Sequence, residues 1–172
     1  MAEDSHDFAR PDDVVGRALF SFSYAFVVLG GIIMSCLTVM VVASVVGRAL
    51  ISMPVYGDFE MVAMGTAISV FLFLPYCHLQ KGNVICDLFL SWAPKKFQVF
   101  CDVVSAVILG AIAGAISWRM VLGGRDLFGY GETSIILGIP TWWAFPFAVA
   151  SMALLALCCA YTAVRDFVRI VR

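Results

Sequence analysis

Charge is what this chain has least of. Only 13% of its 172 residues are Asp, Glu, Lys or Arg, against 62% hydrophobic ones. A soluble domain carries about 25% charged and at most about 50% apolar residues, so an ordinary water-soluble globule is excluded and the chain reads as an integral membrane protein. Catalytic signatures are missing as well: there is no G-x-S-x-G, H-E-x-x-H, P-loop or C-x-x-C pattern, which removes the common nucleophile, zinc, phosphate and dithiol sites and predicts that the chain is not an enzyme. A net charge of −1 gives no reason to expect nucleic acid or another polyanion. Histidine is scarce, with His6 in an acidic N-terminal stretch and His78 at the end of an apolar run. A haem-carrying anchor would want two axial ligands at membrane depth, and His78 supplies one.

Six cysteines, at 36, 77, 86, 101, 158 and 159, lie in apolar runs or at their edges. There they read as small hydrophobes and not as a disulfide framework.

What the chain has in quantity is continuous apolar sequence. Lipid offers backbone groups no water, so only helices or a closed barrel cross it, and unbroken rather than alternating apolar runs select helices. About 20 such residues suffice for one crossing. The expected fold is an all-α integral membrane protein with four tilted transmembrane helices at about 18–47, 59–79, 97–122 and 141–161. They form one membrane domain over 17–165, between an N-terminal tail at 1–16 without secretory-signal features and a basic tail at 166–172.

The stretch 57–94 organises the rest. Asp58 and Glu60 open the second span, a polar turn follows at 80–83, and 84–92 reads as an amphipathic segment lying in the interface. The first span, thirty residues long, reaches about 45 Å as a helix and exceeds a core of about 30 Å, so it must tilt or protrude. Small residues mark the expected packing faces: Gly31 with Ser35, Gly65 with Ser69, and the G-x-x-x-G pair Gly110 and Gly114. Pro75 is expected to kink the second span. The segment 123–140 is expected to fold back into the headgroup layer. Thr141 then caps the last helix, and Trp142 and Trp143 serve as depth anchors.

Lys and Arg near span ends set orientation. One side holds Arg10, Arg17, Lys81, Lys95, Lys96, Arg165, Arg169 and Arg172; the other holds Arg48, Arg119 and Arg125. Eight against three puts both termini in the cytoplasm. The ionisable groups gather at span ends, as interfacial residues do. Arg48 and Glu60 are expected to pair across the outer loop, and Lys81 and Asp87 bracket the inner turn, as devices that fix helix ends or dock a partner.

These positions resemble the small membrane subunit of tripartite ATP-independent periplasmic (TRAP) transporters, the DctQ-like family. The resemblance rests on Arg48 closing the first span, Asp58-Phe59-Glu60 opening the second, Gly82 to Leu88 with Asp87, Pro94, and the run Leu137-Gly138-Ile139-Pro140-Thr141-Trp142-Trp143 before the last. The inner turn departs from the family's Arg and His, reading Gln80-Lys81-Gly82-Asn83. The resemblance implies two partners, a large multi-span permease and a periplasmic substrate-binding protein. It also implies Na⁺-driven uptake of an organic acid across the bacterial inner membrane, with Na⁺ held by the large subunit and no cofactor on this chain. The small subunit's implied work is to scaffold the permease and help dock the binding protein.

Two other readings compete. One is a membrane anchor or electron-transfer subunit of a redox complex, with His78 as a ligand. The other, an independent four-helix exporter, lacks the membrane-embedded carboxylate that proton coupling uses.

Overall fold

In a computed structural model the chain is described over residues 14–52, 55–80 and 95–171, with backbone only at 51, 95–100 and 168–171. It is all-helical: α1 (Val14–Ile51), α2 (Asp58–Leu79), α3 (Lys95–Tyr130), a 3₁₀ turn (Thr141–Ala144) and α4 (Phe145–Val171). Four segments are long and apolar enough to cross a membrane: Val14–Leu50, Asp58–Leu79, Cys101–Tyr130 and Thr141–Phe167. The expected interfacial segment at 84–92, with Lys81 and Asp87, lies outside the described residues, as does His6.

The helices stand side by side in the order α1, α2, α4, α3. α3 packs along α4, α4 along α2, and α2 along α1, while α1 barely reaches α4. The core sits at the middle of the row, where Ala113 of α3 meets Met152, Leu155 and Cys159 of α4, with Phe71 and Leu74 of α2 against them. Across the described residues many of the most buried side chains are small, among them Ser23, Ser44, Ser69, Ala113, Ser151 and Cys159, because helices that lack a hydrophobic driving force associate through close van der Waals approach. The five described cysteines, at 36, 77, 101, 158 and 159, are free thiols.

Two packing expectations need correction. On α1 it is Gly30 that meets α2, since a β-carbon there would come within 2.8 Å of Phe73, whereas Gly31 faces open space and Ser35 is exposed with its hydroxyl turned back to the Gly31 carbonyl. Neighbours on a helix point about 100° apart, so only one of the two can face α2. On α3, Gly110 lies against α4, with its β-carbon position 3.0 Å from Cys159, but Gly114 meets nothing. On α2, Gly65 lies under Leu37, 2.7 Å from its β-carbon position.

α3 also runs two turns beyond the expected end at 122. Gly123 and Gly124 weaken a helix on propensity alone, yet Gly124 lets α3 close on Phe145, 3.2 Å from its β-carbon position, and packing overrides propensity. The helix stops at Gly131, whose φ of 64° is left-handed, the conformation of a glycine C-cap.

α2 stays helical through the buried Pro75 to Leu79. Proline has no N–H to give the carbonyl four residues back, and that carbonyl is Phe71. The Ser151 hydroxyl of α4 donates to it instead, which repairs the broken ladder from a neighbouring helix.

Candidate functional site: the outer helix ends

At the end of the row that holds the N-terminus of α2, the polar contacts converge on that helix's first turn. Gly57, with φ 73°, turns the chain into the helix. Residues two apart on a helix point about 200° apart, so Asp58 and Glu60 address opposite neighbours.

Asp58 faces α1. Ser44, buried one turn before Arg48, donates its hydroxyl to Asp58 Oδ2 at 2.7 Å and accepts the Val55 N–H at 3.3 Å. Asp58 Oδ1 receives the Phe59 N–H at 2.9 Å. Arg48 stands 3.6 Å from Oδ2 with a half-exposed side chain. Arg48 thus pairs with Asp58 and not with Glu60, which corrects the expected partner.

Glu60 faces the loop between α3 and α4. Its Oε1 accepts the Ile136 N–H at 2.9 Å; its Oε2 accepts the Leu137 N–H at 3.0 Å and the Ser134 hydroxyl. The loop is itself closed. Ser134 N–H donates to the Ile139 carbonyl at 2.9 Å, Gly138 N–H to Ser134 at 3.1 Å, and Thr141 N–H to Glu132 at 3.2 Å. Gly138 turns it with φ 65°. A carboxylate that collects backbone N–H groups of one turn is an anion in a nest; here the anion is the chain's own. Leu137 closes over Gly57, while Ile135 is left 97% exposed and Ile136 half-exposed at the tip.

Trp142 sits edge-on to Phe128 at 5.4 Å and to Trp143 at 6.2 Å, at the start of the last span where an aromatic belt belongs. Thr141 gives no side-chain cap. Pro140 occupies the N-cap position, and Thr141 spends its N–H on Glu132.

At the C-terminal end of α2, His78 Nε2 lies 3.1 Å from the Thr162 hydroxyl, which is also within hydrogen-bond reach of the backbone carbonyls of Cys158 and Cys159. Asp166 is buried nearby on α4. Among the described residues no group of three potential metal ligands gathers.

Sequence reasoning singled out the charged residues and missed the hydroxyls: Ser44 and Ser134, which hold Asp58 and Glu60, Ser151, which holds the Phe71 carbonyl, and Thr162, which meets His78. Their only signal was a polar atom inside or beside an apolar span, where each must find a partner.

Over residues 37–169 the chain matches the family described as tripartite ATP-independent periplasmic transporters, DctQ component. It belongs to the DctQ family. That range takes in α2, α3, nearly all of α4 and the C-terminal part of α1, hence every contact described around Asp58 and Glu60. No curated protein and no solved structure matches the chain. Membership makes this DctQ protein a component of a transporter and a multi-pass membrane protein.

Proposed function

We propose that this DctQ protein is the small permease subunit of a TRAP transporter in a bacterial inner membrane, with both termini cytoplasmic. It scaffolds a large multi-span permease and helps seat a periplasmic binding protein during Na⁺-driven uptake of an organic acid, and Na⁺ binds the large subunit.

The observation that carries this reading is the outer end itself, within a chain of this family. Glu60 holds the 131–140 loop by three hydrogen bonds, and that held loop presents an exposed Ile135 to the outer side. A fixed apolar tip suits docking a soluble partner better than a mobile one, because less ordering entropy is lost on contact. The row of helices supports the scaffold role, since it offers broad apolar flanks.

The test is reconstitution of the chain, its permease and its binding protein in liposomes. Uptake driven by a Na⁺ gradient and lost when this chain is omitted supports the reading. Uptake that is equal without it, or a membrane pull-down that yields dehydrogenase or cytochrome chains, overturns it.

A further inference from the structure

Arg119 does not sit at a span end. Ser117 of α3 faces Val149 of α4, and Ser151 of α4 faces Phe71 of α2. Arg119 is therefore level with the third turn of α2, about 10 Å below Glu60 at 1.5 Å per residue. The side chain is exposed on the flank of the row and makes no ion pair among the described residues. An ionisable group at this depth is uncommon and marks a functional contact.

Its direction is informative. Helical side chains lean toward their helix's N-terminus. α3 runs from the inner side outward, so Arg119 leans toward the middle of the membrane and away from the outer headgroups. It lines a hollow of about 350 Å³ with Ala115 and Ile116, the residues one turn before it, and with Met120 and Phe145. Ala115, four residues before Arg119 and so on nearly the same face, is small and exposed, so a neighbouring helix can come close beside the charge.

We propose that this flank of α3, centred on Arg119, docks a transmembrane helix of the large permease that carries a carboxylate at the same depth. The inference rests on the reading above and adds the face and the chemistry of the contact. A guanidinium in lipid calls for an acidic partner, and the small Ala115 beside it lets that partner's helix approach closely. A phospholipid phosphate is the competing anion, but it lies outward, against the lean of the side chain.

The experiment uses native membranes that contain the whole complex. A photo-crosslinking residue placed at Ala115, and separately at Val42 on the exposed face of α1, reads the docking face without disturbing the charge. Tagged wild type, Arg119→Gln and Arg119→Lys are then compared for permease co-purified per tagged chain. Expected are a permease adduct at 115 and none at 42, a loss of about tenfold for Arg119→Gln, and near-normal recovery for Arg119→Lys. An adduct at 42 and none at 115, or full recovery with Arg119→Gln, overturns the face. Lipid adducts alone at 115, with anionic lipid lost from Arg119→Gln, assign the site to phospholipid and overturn it too. If the wild type brings down no permease, the subunit reading itself has failed, which the wild-type lane shows separately.

Discussion

Ser151 on α4 donates its hydroxyl to the carbonyl of Phe71 on α2, the one carbonyl of that helix that Pro75 leaves without an intrahelical donor. A helix-breaking residue and its remedy are thus carried by different spans, and the contact ties α2 to α4 at the centre of the row.

Ser151→Ala should lower the unfolding free energy in detergent by about 1 kcal/mol, the scale of interhelical hydrogen bonds in membranes. In a Pro75→Ala background, where the helix regains its own donor, the same change should have almost no effect. A thermal melt of all four combinations measures this. Equal losses in both backgrounds would show that Ser151 only fills space.

Glu60→Ala should free the 131–140 loop without unfolding the helices. A spin label at Ile135 should turn from restricted to mobile, and protease should cut the loop faster. An unchanged label would mean that the loop's internal hydrogen bonds hold it alone.

Asp58 and Ser44 should be more strongly coupled than Asp58 and Arg48. The first pair shares a 2.7 Å hydrogen bond on a buried serine, the second a 3.6 Å contact on a half-exposed arginine, and exposed ion pairs contribute little. Double-mutant cycles on melting temperature check the ranking, and a larger Arg48 coupling would reverse it.

Gly110→Leu should destabilise the isolated chain by about 1–3 kcal/mol through overpacking, because Cys159 already stands 3.0 Å from the β-carbon position. Gly114→Leu should leave the isolated chain's melt unchanged, since nothing lies within 4 Å of its β-carbon position. Equal destabilisation by both would place Gly114 inside the chain's own packing.

How much of this was legible in the sequence follows from what each signal encodes. Apolar run length is a one-dimensional quantity, so the four helices could be read directly. Which of Asp58 and Glu60 Arg48 meets is an angular one. The two carboxylates are neighbours in sequence, yet they leave the helix about 200° apart, and the direction that faces α1 appears only once the helices are set together. Gly30 and Gly31 carry the same ambiguity. The end of α3 was misplaced because Gly123 and Gly124 read as a turn, and the support from Phe145 comes from another helix. Glu60's partners were hidden for a different reason: two of the three are backbone N–H groups, which every sequence has everywhere.

The side-by-side order of α1, α2, α4 and α3 bears on mechanics. With neighbours about 8–10 Å apart, four helices abreast make a plank roughly three spacings wide and one helix thick. Such a body resists tipping within its own plane, because its ends have long lever arms against the surrounding lipid, and it yields most easily across its thin direction. Joined along one edge to a larger partner, as the scaffold reading proposes, a body of this shape would act as an outrigger against tilting.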